Sequence, residues 1–208
     1  DVDLYVTRYV DYTPERNKYC PLWTARAYCH PNEYNGVSDL LFRNNGDGTF
    51  TDISRESGIL QRPNGNGLGV VFGDYDNDGL ADIYVANDST PNFLYRNKGK
   101  GHYEDVGVWA GVAVEANGKP LAGMGTDLGD INGDGLLDIF VTNLDGQPHS
   151  VYQNLGRGLF ADITFLSGVG EVTLPFVGFG TALFDYDNDG DLDISIANGD
   201  VIDNNKRL

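Results

Sequence analysis

A loop rich in aspartate and glycine, set between short β-branched runs, returns about every 55 residues along this 208-residue chain. A glycine-bearing hairpin accompanies each return, and 28 glycines, 12 tyrosines and 10 phenylalanines stand against a single methionine. Together these observations predict an all-β fold of four-stranded antiparallel blades, a partial or open segment of a β-propeller.

The loop-bearing element comes first in each period. It reads GLGVVFGDYDNDGLADIYVAN from Gly67, GMGTDLGDINGDGLLDIFVTN from Gly123 and GFGTALFDYDNDGDLDISIAN from Gly178, so its leading aspartates are Asp74, Asp130 and Asp185. Runs such as Val70-Val71-Phe72 and Ile83-Tyr84-Val85 flank the loop and have strand length and strand composition. The second element is LLFRNNGDGTFTDI from Leu40, FLYRNKGKGHYEDV from Phe93 and SVYQNLGRGLFADI from Ser150, each reading as strand, hairpin, strand. One period therefore holds four strands. A linear β-solenoid fits less well, because its coils are usually shorter and need no hairpin in every unit.

This register gives whole blades at 67–122 and 123–177, a partial blade at 1–66 and another at 178–208. Aligning Asp1 to Val6 with Asp191 to Ile196 makes Asp3 the last carboxylate of a further loop. Known propellers have about 4 to 8 blades, so the full polypeptide is expected to be longer, with the remaining blades supplied by further chain or another subunit. The first period carries an insertion at about 7–37 that contains Cys20 and Cys29, the two cysteines of the chain, near Tyr19, Pro21, Trp23 and Tyr28. Either a local disulfide or two free thiols fits that spacing. The insertion reads either as a contact surface or as a cap on a blade.

The loops DYDNDGLAD, DINGDGLLD and DYDNDGDLD share the pattern Dx[DN]xDGxxD. Oxygen ligands at positions one, three, five and nine would be Asp74, Asp76, Asp78 and Asp82; Asp130, Asn132, Asp134 and Asp138; and Asp185, Asp187, Asp189 and Asp193. The main-chain carbonyls of Leu80, Leu136 and Asp191 at position seven would complete each set. Calcium suits such a set, since it takes about 6 to 8 oxygens in irregular geometry, whereas magnesium demands a strict octahedron. Gly79, Gly135 and Gly190 supply the positive φ that folds the loop back. Three Ca²⁺ ions would take the formal charge from −17 to −11. An EF-hand is excluded because position twelve, Val85, Val141 or Ile196, is apolar where a bidentate Glu is required.

The net charge of −17 repels phosphate backbones and anionic lipid, so nucleic acid is excluded as a partner. No apolar run reaches the roughly 18 residues of a membrane span. The opening DVDLYVTRYV lacks the basic flank and cleavage site of a signal peptide. His30, His102 and His149 share no ligand spacing and read as surface histidines. Gly65 to Gly69 resembles a phosphate loop but lacks the lysine and the following helix. Asn87-Asp88-Ser89 is formally a glycosylation acceptor, yet Asn143 and Asn198 recur at its position, which favours a structural role in the turn. No catalytic residue or enzymatic activity is expected.

With Phe72-Gly73 before the first loop, the repeats resemble the FG-GAP, or VCBS-type, repeats of integrin α-subunit propellers and bacterial exported proteins. RNNGDGTFTDIS, VANDSTPNFLYRN and GFGTALFDYDNDGDLDISIANG are similar to the cartilage acidic protein type, with its ASPIC/UnbV association. The resemblance implies a seven-bladed calcium-binding propeller that is secreted, on the cell surface or periplasmic. It implies an adhesive, scaffold or protein-binding role with a protein or glycan ligand. Asn132 in place of a carboxylate and Asp200 in place of an expected histidine depart from the family pattern. Two other readings are an exported carbohydrate-binding or lyase-like enzyme on the same scaffold and a building block of a surface assembly.

Overall fold

The computed structural model describes residues 2–22, 25–61 and 65–201; Asp1, Trp23, Thr24 and residues 62–64 and 202–208 lie outside them. Strand β1 (Leu4–Val6) leads into the insertion, which holds a hairpin of β2 (Cys20–Leu22) and β3 (Ala25–Ala27), and then come β4 (Leu40–Asn44) and β5 (Phe50–Asp52). The next period gives β6 (Gly67–Gly73), β7 (Asp82–Asn87), β8 (Phe93–Asn97) and β9 (Tyr103–Asp105). The third gives β10 (Thr126–Gly129), β11 (Asp138–Val141), β12 (Ser150–Asn154) and β13 (Phe160–Asp162), and β14 (Val177–Phe184) and β15 (Asp193–Gly199) follow. Single helical turns, α1 (Gly107–Ala110) and α2 (Val169–Thr173), follow β9 and β13.

These strands make two four-stranded sheets, β6-β7-β8-β9 and β10-β11-β12-β13, between a three-stranded sheet β1-β4-β5 and a two-stranded sheet β14-β15. Every pairing within them is antiparallel, from Gly73↔Asp82 across the first loop to Asn154↔Phe160 in the third period. A β-solenoid pairs successive coils in parallel, so that rival is excluded. The sheets form an open series and do not close into a ring.

Strand alternation explains how the sheets stack, because successive side chains point to opposite faces. From the second sheet, Ile83, Val85, Phe93 and Tyr95 pack with Tyr5, Leu41 and Ile53 of the first sheet. Their neighbours Tyr84, Ala86 and Leu94 face the other way and pack with Ile139, Val141 and Tyr152 of the third sheet. Both faces of a central sheet are therefore core, which is why β7 is buried along its whole length. Each large apolar side chain so buried contributes about 1.5–3 kcal/mol. Tyr84 is fully enclosed, and its hydroxyl donates to the Val112 carbonyl at 2.9 Å, so no polar atom is stranded by that burial.

Glycine sets the sheet spacing at the strand where neighbours come closest. A Cβ on Gly69 would lie 2.5 Å from the Met124 carbonyl, and one on Gly125 would lie 1.9 Å from the Phe179 carbonyl. Polar ties cross the same seam. Thr142 Oγ1 donates to the Phe179 carbonyl at 2.7 Å, and Asp127 accepts from the Leu183 N–H at 2.8 Å.

The described residues of the insertion are anchored to one another and to the next sheet. Cys20 and Cys29 form a disulfide, which decides between the two thiol states. Asp11 accepts from the Asn35 N–H at 2.9 Å and pairs with Arg16 at 2.6 Å, while Lys18 lies 5.3 Å from the centre of the Tyr34 ring. Thr7 and Arg8 run beside the next sheet, with the Gly67 N–H donating to the Arg8 carbonyl at 3.0 Å.

The expectation of three surface histidines holds for His30 and His102 and fails for His149, which is fully buried. His149 Nδ1 accepts from the Asn143 N–H at 3.1 Å, so the neutral ring carries its proton on Nε2, which has no partner and faces Gly178. Asn92 fills the equivalent place one period earlier, its Oδ1 accepting from the Asn87 N–H at 2.8 Å. Asn87 is itself buried, with its amide donating to the Pro91 carbonyl, so the turn role applies.

Two outcomes follow from this packing. Gly125→Ala is expected to cost about 1–3 kcal/mol as the Phe179 carbonyl is forced away, read as a lower melting temperature. Burial holds the His149 pKa below its usual 6.5, so the unfolded chain takes up the proton first. Stability is therefore full above about pH 6.5 and falls below it, at up to about 1.4 kcal/mol per pH unit until the folded ring also titrates. His149→Asn is expected to keep the stability at pH 7 and to flatten the decline between pH 6.5 and 5 in urea unfolding.

Candidate metal centre

Each aspartate loop closes on its own backbone. Asp74 accepts from the N–H groups of Asp78 at 3.0 Å and Gly79 at 2.8 Å, and Asp78 accepts from the Leu80 N–H at 3.0 Å. Asp130 and Asp134 repeat this with Asp134, Gly135 and Leu136, and Asp185 and Asp189 repeat it with Asp189, Gly190 and Asp191. Gly79, Gly135 and Gly190 have φ of 86°, 85° and 100°, as expected from the sequence. Position four is also left-handed, with Asn77 at 56°, Gly133 at 74° and Asn188 at 64°, which explains why only Asn or Gly stands there.

The ninth position ties the loop to the sheet. Asp82 accepts from the Tyr75 N–H at 3.2 Å and from the Asn97 N–H of β8 at 2.7 Å. Asp138 does the same with Ile131 and with Asn154 of β12, at 3.0 and 2.7 Å. Asp3 accepts from the Asn44 N–H of β4 at 2.9 Å, as its alignment with the other loop ends predicts. Burial pushes the Asp82 carboxyl up to about 6; its two N–H partners oppose that rise, and Asp76 and Asp78 add to it. Burial likewise raises Asp138.

Carboxylates converge in two of the loops. Oxygens of Asp74, Asp76 and Asp78 lie within 4.8 Å of one another, as do those of Asp185, Asp187 and Asp193. The second loop differs, because Asn132 replaces the middle carboxylate and its amide donates to Asp134 at 2.9 Å. Asp82 and Asp189 stand apart from the close triplets of their loops. Bringing three carboxylates this close is unfavourable by several kcal/mol at an effective dielectric near 20. In the first loop the cost is visible: the Asp76 side chain is 8 % exposed, and its Oδ1 is buried without a hydrogen-bond partner. A hard cation with oxygen ligands suits such an oxygen.

The loops also join neighbouring sheets. Asn154 Nδ2 donates to the Tyr75 carbonyl at 2.8 Å and to the Leu137 carbonyl at 3.0 Å, and the Tyr75 ring packs 5.7 Å from that of Phe160. The sequence identified the loop aspartates but not Asn97 and Asn154, which follow Arg96 and Gln153; aligning the RN, RN and QN pairs at 43–44, 96–97 and 153–154 would have flagged the column.

Residues 32–85, 74–141 and 130–196 each match the FG-GAP-like repeat, the second and third matches beginning at the first loop aspartates. The chain belongs to the FG-GAP-like repeat family. Among FG-GAP relatives it is 31 % identical over 150 residues to cartilage acidic protein 1 of Homo sapiens, covering 71 % of this chain and 21 % of that protein. With cartilage acidic protein 1 of Xenopus tropicalis it shares 30 % over 153 residues, 72 % of this chain and 22 % of that one. With integrin alpha-4 of Xenopus laevis it shares 27 % over 187 residues, 84 % of this chain and 16 % of that one. The chain thus spans about a fifth of the length of the relatives it matches. None of these names is that of an enzyme, and the described residues hold no catalytic cluster. No described helix is long and apolar enough to cross a membrane.

Asn154→Ala removes both side-chain bonds to buried carbonyls, so the FG-GAP loop loses its tie to the next sheet. A loss of about 2 kcal/mol or more in urea unfolding is expected, with backbone exchange rising first around Tyr75 and Leu137.

Proposed function

We propose that the chain is a calcium-stapled segment of a seven-bladed β-propeller that serves as an extracellular adhesion or scaffold module for protein or glycan partners. The observation that carries this reading is the buried, unpartnered Asp76 Oδ1 within a triplet of carboxylates, in a loop whose backbone is built again in the two later periods. The ligands assigned are Asp74, Asp76, Asp78, Asp82 and the Leu80 carbonyl; Asp130, Asn132, Asp134, Asp138 and the Leu136 carbonyl; and Asp185, Asp187, Asp189, Asp193 and the Asp191 carbonyl. About three ions are bound. Each ion offsets part of its loop's charge, and the first loop also touches the next sheet, so calcium there stabilises the stack of sheets.

Blades at 67–122 and 123–177, with partial blades at 1–66 and 178–208, fit the strand order. The outer face of β14-β15 favours additional blades from further chain or another subunit. Tyr75 is 2 % exposed under its neighbouring sheet, whereas the equivalent Tyr186 is 67 % exposed, with Phe184 beside it. An exported location follows from the disulfide and from the kinship with cartilage acidic protein 1. The disulfide-closed insertion is the surface assigned to partner contact.

Calorimetric titration of chelated protein with calcium is expected to find about three sites and a higher melting temperature. Asp187→Asn is expected to remove or weaken one site and lower the melting temperature in calcium by about 2–4 °C per kcal/mol lost, with little change in chelator. Equal melting with and without calcium would remove the staple.

A further inference from the structure

The first and second loops reach the same net charge with different residues. Arg96, on β8 one residue before the asparagine that caps Asp82, reaches into the first loop: its Nη2 lies 2.7 Å from Asp76 Oδ2 and 3.7 Å from Asp78 Oδ2. The equivalent residue on β12 is Gln153, and the loop residue corresponding to Asp76 is Asn132. Both positions therefore change together within this one chain, Asp with Arg in one repeat and Asn with Gln in the next. The first loop holds four side-chain carboxylates against one guanidinium, and the second holds three with none, so both carry a net charge of −3.

The Arg96 pair is only half made. An arginine on a carboxylate commonly uses its planar fork to make two parallel bonds. Here one nitrogen meets Asp76 closely, while Arg96 Nε and Asp76 Oδ1 are both buried and without partners. Leaving a buried donor and a buried acceptor unpaired is costly, and the guanidinium, 39 % exposed, has a route to solvent. This is the geometry of a cation that offsets the loop charge without satisfying its oxygens.

We infer that Arg96 is a built-in counter-cation of the first loop: it balances Asp76 and Asp78 when no metal is bound and swings out when a divalent cation enters, making this a weaker site than that of the second loop. The inference rests on the calcium reading above. Asp76 offsets the charge of Arg96, but a metal entering the first loop must first break the Arg96–Asp76 pair, which has no counterpart in the second loop, and losing a charge pair over a few ångströms near a protein surface corresponds to an affinity change of about tenfold or more. The second loop would then fill before the first as calcium rises, with Arg96 released to the surface when the first fills.

The test is calcium titration by calorimetry of the full 208-residue chain as wild type, Arg96→Gln and the double variant Asp76→Asn/Arg96→Gln, with melting temperatures in calcium and in chelator. Arg96→Gln is expected to tighten the first-loop site about tenfold or more and leave the others unchanged. Its melting temperature should fall in chelator, where Asp76 loses its Arg96 partner, and rise in calcium. The double variant carries the second loop's own residues at both positions, so it should keep wild-type stability in chelator and still bind more tightly than wild type at this site; it decides the matter if the single variant fails to fold. Unchanged affinities beside normal calcium binding would overturn the counter-cation role and leave the staple standing. A similar loss of stability in chelator and in calcium would mark Arg96 as a permanent strut and overturn it too. Absence of calcium binding in all three proteins would overturn both this inference and the calcium reading beneath it.

Discussion

The terminal aspartate of each loop is the constraint on which the rest of the repeat depends. Asp82 fixes the N–H of the second loop residue with one oxygen and the N–H of the next hairpin strand with the other, and Asp138 does the same one period later. A single carboxylate thereby sets the start of the loop, the start of β7 or β11, and the register of the strand beyond. Because it is buried, its charge is held at a cost, visible in the upward pull on the Asp82 carboxyl. The remaining aspartates add to that cost and create the demand for a cation.

The same loops carry the stack. Tyr75 leaves the first loop to lie against Phe160 and to accept from Asn154, so loop geometry and sheet packing are coupled through two side chains. Between the strands, glycines at Gly69 and Gly125 let backbone approach backbone, and alternating apolar residues fill both faces of each central sheet. Local loop order and long-range stacking thus share residues, and a perturbation of one is felt in the other.

The repeats differ at a few columns while the frame stays fixed. Asp39, Asn92 and His149 occupy one such column: Asp39 takes the Arg8 N–H and the Tyr5 hydroxyl, Asn92 takes the Asn87 N–H, and His149 takes the Asn143 N–H. Arg96 and Gln153 occupy another, which sets the charge facing the acidic loops. Sequence reading treated His149 as an isolated histidine because a single residue carries no period. Its column precedes the aligned strands at Leu40, Phe93 and Ser150, but the backbone donor it serves becomes apparent only in space.

Periodicity determined much from sequence alone. The four strands per repeat, the loop boundaries and the left-handed glycines at 79, 135 and 190 all follow from residue types whose backbone preferences are local. The tertiary structure decided what depends on pairs distant in sequence: the Cys20–Cys29 bridge over the alternative of free thiols, the burial of His149, and the tie from Asn154 to Tyr75. It also decided that Arg96 meets Asp76, and that Asp82 serves the backbone of two strands at once. Turn chemistry is written in consecutive residues, whereas burial and charge balance arise only when separate strands are brought side by side.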